Sequence, residues 1–321
     1  MTRGVIDMRI CSLLPSTTEI VCALGLAENL VGVTHECDYP PEARDKSKVI
    51  MSFINPNELS SREIDELIVK NRNEGKSTYL IDIEALKEAN PDIILTQGLC
   101  EVCAVSGNEV LESVKALGHT PEIISLEPNT IEQILDTILT IGDATETKDR
   151  ADEIVGKLKS RIHRIKSLFS DERDRPRVFC MEWLEPTYAA GHWIPEMVQL
   201  AGGDNGIAKP GEPSLEVSWD DILNFAPQII VVMPCGFNIE DTLKEIDILT
   251  SHKYWNQIPA SKRGHVYLVD ANSYFSRSGP RVVDGLEILA KIIHPEACEF
   301  EFPNNSVLNL RNHYYFELNL G

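Results

Sequence analysis

The side chains best able to bind or react fall in six short segments. Thr34-His35-Glu36-Cys37-Asp38-Tyr39 and Gln97-Gly98-Leu99-Cys100-Glu101-Val102-Cys103 lie in the first half of the chain. Trp183-Leu184-Glu185-Pro186-Thr187-Tyr188, Gly191-His192-Trp193, Pro234-Cys235-Gly236-Phe237 and Tyr274-Phe275-Ser276-Arg277 lie in the second. His35, Cys37, Cys100, Cys103 and His192 offer the imidazole and thiolate donors that zinc, iron or cobalt accept. Cys100 and Cys103 form a single CxxC, whereas a zinc signature of high specificity has two such pairs. These cysteines therefore read in three ways: small apolar core thiols, part of a composite soft-metal site, or a redox pair, which is rare in the cytosol. Catalysis would need Cys100 or Cys103 activated by His35 or His192. No GxGxxG after a strand, GxxxxGK[ST], GxSxG or HExxH is present, so the expectation is a binding protein, not an enzyme.

Trp183, Tyr188, Trp193 and Phe275 sit beside Gly and Pro in these segments, where a core role accounts for them less easily. Rings supply contact area at little entropic cost and suit a large, flat, partly apolar ligand. The expected ligand-contacting set is His35, Glu36, Tyr39, Gln97, Trp183, Tyr188, Gly191, His192, Trp193, Phe275 and Arg277.

Positioning these residues falls to alternating short strands and helices. The pattern predicts a strand over 9–14, a helix capped by Ser16 with a Ser16/Glu19 capping box and ended by Gly25, and a strand over 30–33. Helix 83–89, strand 93–96, helix 108–117 and strand 122–126 follow. The second half repeats this grammar: strand 177–182, helix 194–200, helix 219–224, strand 229–233 and strand 266–269. Asn90-Pro91-Asp92-Ile93-Ile94 parallels Ala226-Pro227-Gln228-Ile229-Ile230, and Gly118-His119 parallels Gly264-His265; both histidines read as structural. Short, nearly all-apolar strands alternating with helices indicate α/β lobes with mainly parallel sheets, in which ligands meet the carboxyl ends of strands. Between the halves, Ile154, Leu158, Ile162, Ile165 and Leu168 have the spacing of one long amphipathic helix over 145–169. Without a Gly-Ser tether it reads as a rigid strut, which implies a largely preformed cleft between the lobes. The expected domains are an N-terminal lobe (9–142), a backbone helix (143–170), a C-terminal lobe (171–297) and a C-terminal extension (298–321), strand-like or irregular.

At 321 residues the chain is long enough for two compact units. Fifty acidic against thirty basic side chains give a formal charge of −20, which repels phosphate backbones and anionic lipid and argues against nucleic acid or membrane insertion. No secretory, lipid-attachment or spanning segment is visible in the sequence. Together with eight scattered cysteines, this predicts a cytosolic protein, or a periplasmic or cell-surface one had a leader been removed.

Residues 9–20, Arg-Ile-Cys-Ser-Leu-Leu-Pro-Ser-Thr-Thr-Glu-Ile, then Ala23-Leu24-Gly25-Leu26 and Val31-Gly32-Val33-Thr34, resemble the opening of the cobalamin-binding proteins of ABC importers. Pro91-Asp92-Ile93-Ile94, Ala201-Gly202-Gly203 and Ser276-Arg277-Ser278-Gly279-Pro280-Arg281 continue the likeness in order, over about residues 9 to 295. A branch usually described as cobalamin-binding is closest, through His35-Glu36-Cys37-Asp38-Tyr39-Pro40, Cys100-Glu101-Val102-Cys103 and Gly191-His192-Trp193-Ile194-Pro195-Glu196. The resemblance implies two Rossmann-like lobes on a helical backbone, with a corrinoid held between them for uptake or intracellular handling, and an ABC permease as partner if the protein is exported. Haem, iron–siderophore or bare zinc or iron binding is the alternative it leaves open, and a thiol-dependent corrinoid-processing enzyme a further one.

Overall fold

In the computed structural model, residues 8–54, 59–74, 77–97, 107–169 and 174–313 are described. They form two compact α/β units. The first contains residues up to 58, 66–128 and 132–156; the second contains 59–65, 129–131 and everything from 157 onward. The boundary thus falls inside one helix, after Gly156.

The first unit is built on strands β1 (Ile10–Ser12), β2 (Leu30–Thr34), β3 (Lys48–Ser52), β4 (Tyr79–Ile81), β5 (Ile93–Thr96) and β6 (Glu122–Ser125), in sheet order β4-β3-β2-β1-β5-β6. All neighbours are parallel except β3 and β4, which pair antiparallel with Met51 opposite Leu80. Helices α1 (Pro15–Ala23), α2 (Ser61–Asn73), α3 (Ile83–Ala89), α4 (Gly107–Val114) and α5 (Ile131–Ala144) follow in chain order. The central strands supply Cys11, Leu13, Val49, Ile50 and Ile94 to a core closed by Leu86, Ala89, Val110 and Val114 from α3 and α4.

Helix α1 departs from the expected start. Its N-cap is Leu14, with extended dihedrals and no side-chain bond, and Pro15 takes the first helical position. Proline's fixed φ and missing N–H suit that position, so Ser16 lies inside the first turn and the Ser16/Glu19 box does not form. Gly25 ends the helix as expected, at φ +87°.

The connecting element is α6 (Lys148–Leu168), separated from α5 by a break at which Glu146 has φ +57°. Its buried stripe is Ala151, Val155, Leu158 and Ile165, continued by Phe169 just past its end; Leu168, expected on that stripe, is 48% exposed. Its second half belongs to the second unit. There Arg161 donates to Asp284 Oδ1 (2.5 Å) and to both Glu287 oxygens (3.0 and 2.7 Å) on the C-terminal helix Val282–Ile293.

The second sheet runs β12-β11-β10-β7-β8-β9, from β7 (Val178–Trp183), β8 (Tyr188–Ala189), β9 (Leu215–Glu216), β10 (Ile229–Val232), β11 (Val266–Val269) and β12 (Val307–Asn309). Only β7–β10 and β10–β11 are parallel among these pairs; β7–β8, β8–β9 and β11–β12 are antiparallel. The expectation of a mainly parallel sheet fails here for a steric reason. Four residues separate Trp183 from Tyr188, enough for a hairpin but not for the crossover that a parallel pair needs. Helices α7 (Ile194–Leu200) and α8 (Trp219–Phe225) flank this sheet's sequence. The core is formed by Phe179, Met181, Ile222, Ile230, Val232, Leu249 and Leu268 with their neighbours. The segment after Pro295 supplies β12 as an edge strand, so its described part belongs to this unit's sheet.

The two halves share one piece of local architecture. Asn90 and Ala226 each end a helix in the left-handed region, at φ +41° and +50°, and a proline follows each. Arg9 Nε donates to the Ala89 and Asn90 carbonyls at 3.0 and 3.1 Å. Arg177 Nε donates to the Phe225 and Ala226 carbonyls at 2.8 and 3.0 Å. Each arginine immediately precedes a central strand of its sheet and neutralises the carbonyl-rich, negative end of the helix beside it.

Candidate functional site

In parallel sheets ligands meet the carboxyl ends of strands, because the loops there are free to vary. In the first unit β2 ends at Thr34, and His35 follows it directly. The His35 amide N–H bonds the Ile50 carbonyl at 3.1 Å and Nδ1 lies 3.3 Å from the same oxygen. Nε2 is then directed toward Glu36 Oε1, 3.8 Å away. The ring lies 6.3 Å from Tyr79 and is partly exposed. Tyr39 is exposed, and Gln97 is half-buried just past β5. Cys37 behaves otherwise. It is buried, with Sγ 3.1 Å from Thr18 Oγ1, and burial raises its pKa above the ordinary thiol value. A buried neutral thiol is a small core residue, so the structure removes Cys37 from the expected soft-metal set. Cys100 and Cys103 lie outside the described residues.

In the second unit the candidates converge on two places. At the end of β7, the Trp183 ring meets Phe237 edge-on at 5.4 Å. Its indole N–H donates to the Ser61 carbonyl at 3.1 Å, the Ser61 N–H donates to Glu245 Oε1 at 2.8 Å, and the Arg62 guanidinium pairs with Glu185. The first turn of α2 is therefore seated on the tip of β7. Tyr188 stands opposite Trp183 in the β7–β8 ladder and is half-buried.

The second place is the turn after β8. Gly191 was expected to face ligand, but a Cβ there would lie 2.4 Å from the backbone of Pro213 and Ser214. Its missing side chain serves chain packing. His192 has φ +52°, a conformation that costs a non-glycine residue about 1 kcal/mol and is held from both sides. Its N–H donates to the Glu212 carbonyl at 2.6 Å and its carbonyl accepts from Gly211 N–H at 2.8 Å. The imidazole is partly exposed, and Nδ1 lies 3.0 Å from Asn129 Oδ1. Burial lowers the His192 pKa, which favours the neutral ring. Four residues on, Glu196 Oε2 accepts the N–H of Ile131, the first residue of α5, at 2.9 Å.

Trp193 and Phe275, expected in the ligand wall, are core residues: both are buried, and the Trp193 indole N–H donates to the Phe275 carbonyl at 3.0 Å. The internal bond satisfies the indole's polar edge, which removes the reason to keep it at the surface. Arg277 is also buried, with Nη2 donating to Asn272 Oδ1 at 2.9 Å.

Sequence reasoning missed several contributors. Glu182, next to Trp183, carries a carboxyl whose Oε2 is buried without a hydrogen-bond partner. Burial raises its pKa, against stabilisation of the anion by the Ser214 hydroxyl and Gly191 N–H. Asn129, Ser61, Arg62 and Glu245 also escaped notice, and no local motif marks them. Among the described residues no three His, Cys, Asp or Glu side chains converge as ligands for a bare ion. In the first unit an open groove lined by Leu111, Val114, Leu117 and His119 lies beside the amino end of β6. His119 itself bonds the Pro91 carbonyl at 2.8 Å, a structural role.

The sequence model of a family described as periplasmic binding protein matches residues 10–273. An uncharacterised ABC transporter substrate-binding lipoprotein of Bacillus subtilis is 26% identical over 90% of this chain and 80% of its own length. A vitamin B12-binding protein of Vibrio cholerae is 25% identical over 87% of this chain and 86% of its own. Among solved structures, a periplasmic heme-binding protein from Pseudomonas aeruginosa superimposes with a TM-score of 0.69 at 19% identity, covering 92% of this chain and 96% of its own. Such relatives are lipoproteins or periplasmic, so the expectation of a cytosolic location finds no support among them. Among the described residues no helix is long and apolar enough to cross a membrane.

Proposed function

This chain belongs to the periplasmic binding protein family, whose members are substrate-binding proteins rather than enzymes, and from that premise we propose that it binds a corrinoid of the vitamin B12 type and presents it to an ABC permease. The observation that carries this reading is the collinear likeness to a vitamin B12-binding protein over 87% of the chain. The strand-end loops support it chemically. Each unit by itself offers suitable groups: His35, Glu36, Tyr39 and Gln97 in the first, and Trp183, Tyr188 and His192 in the second, supply aromatic area and hydrogen-bonding groups of the kind that suits the amide-fringed rim of a corrin.

Haem, or an iron–siderophore, is the second reading, favoured by the structural likeness to a heme-binding protein. The corrinoid and haem readings share a metallated, largely planar macrocycle. A bare zinc or iron ion is less well supported, because Cys37 is a core thiol.

Equilibrium titration of the full chain with aquocobalamin, cyanocobalamin, ferric haemin and a ferric siderophore, followed by visible absorption, tests the proposal. Saturable one-to-one binding of a cobalamin at micromolar protein supports it. Binding of haemin or the siderophore alone replaces it with the second reading, and binding of none rejects both.

A further inference from the structure

We infer that His192 is a metal ligand, its Nε2 taking an axial position on the central ion of a metallated macrocycle, and that Asn129 is the positioning residue that holds the imidazole for this task. The inference rests on the proposed macrocycle-binding function and adds a bond to it.

Two independent features of the second unit meet at this residue. The backbone is held in a left-handed conformation that non-glycine residues seldom adopt, fixed by the 2.6 Å bond to Glu212 and the 2.8 Å bond from Gly211. The ring therefore leaves the chain in a direction that a relaxed turn would not give. Asn129 Oδ1 is an acceptor only, so at 3.0 Å from Nδ1 it selects the tautomer with the proton on Nδ1. Nε2 is left with its lone pair, as in metal-binding histidines whose other nitrogen is engaged by an oxygen.

Other histidines are committed differently. His119 spends Nε2 on the Pro91 carbonyl, His294 places Nε2 3.3 Å from the Gly202 carbonyl, and His35 Nε2 faces the Glu36 carboxylate. The surroundings also select the kind of metal. With no convergent set of three ligating side chains among the described residues, a bare ion would be under-coordinated. An ion that brings four equatorial nitrogens needs only one or two more donors. The step is a ligand exchange: the Nε2 lone pair forms the metal–nitrogen bond, the metal–water bond breaks, and the water leaves. No electron is transferred and no proton released.

The test uses the full chain with aquocobalamin, diaquocobinamide and ferric haemin, which all carry an exchangeable axial water. Binding is expected to shift the visible spectrum to that of the same compound with free imidazole. In the reduced cobalt(II) complex, 15N-histidine labelling is expected to alter the superhyperfine splitting. His192→Ala should abolish the shift, and His192→Asn, which tolerates the left-handed backbone, should do so with the fold intact by circular dichroism. Asn129→Ala should weaken binding of the aquo compounds about tenfold or more, and Asn129→Asp, which still accepts from Nδ1–H, should recover most of it. Ligand bound with an unshifted spectrum, or a shift that survives both His192 variants, overturns the inference and leaves the binding function standing. Failure of every macrocycle to bind overturns both.

Discussion

Glu182 shows how a single side chain can tie stability to pH in the loop that carries the candidate site. It is the penultimate residue of the central strand β7 and reaches Gly191 and Ser214, which hold the His192 turn. Its carboxyl is buried, and burial raises its pKa in the folded state. A raised folded pKa contributes stability below the ordinary carboxylate value and loses it as pH rises through the folded value. At neutral pH and above, the charge is therefore a cost. Glu182→Gln should gain in melting temperature relative to the native protein between pH 4 and pH 8, and a scan that finds the difference flat or falling with pH refutes this. His192 was legible in the sequence from its place between Gly191 and Trp193. Its partner Asn129 was not, because 63 positions separate them and only the fold brings them together. Trp193 and Phe275 show the opposite error: their loop neighbours suggested exposure, but an internal bond between indole and carbonyl made both core.

At the scale of elements, the repeated helix–αL–Pro–strand unit explains why the two halves read alike. Helix 83–89 and strand 93–96 were legible to the residue because propensity, capping and the following proline all agree there. The short antiparallel pieces β4, β8 and β9 were not, since two or three residues carry no periodicity. The Ser16 cap failed because Pro15 competes for the first helical position and wins. Ala226 occupies a left-handed position that glycine accepts without strain. Ala226→Gly is expected to stabilise the protein by about 0.5–1 kcal/mol, the left-handed penalty less the unfolded-state entropy of glycine. Arg177→Ala should cost about 1–3 kcal/mol, because it leaves the Phe225 and Ala226 carbonyls without their charged donor. Urea denaturation checks both; a neutral Arg177→Ala would show that the arginine is a bystander.

For the whole molecule, the two α/β units follow from strand–helix alternation that any reading of periodicity would find. The true composition of the units does not. Residues 59–65 and 129–131 belong to the second unit though they lie in the first half of the chain. No shift in charge or apolar content announces them, because their membership depends on contacts with Trp183, Glu245, His192 and Glu196. Ligand identity has the same character, since one fold serves several ligands and the site decides between them. The most direct measurement is equilibrium dialysis of the full chain against aquocobalamin, with haemin as competitor. The account predicts one cobalamin per chain at a Kd of about 1 μM or tighter, equivalent to roughly −8 kcal/mol, and little displacement by equimolar haemin. Absence of retained cobalamin at tens of micromolar protein, or its complete displacement by haemin, would contradict it.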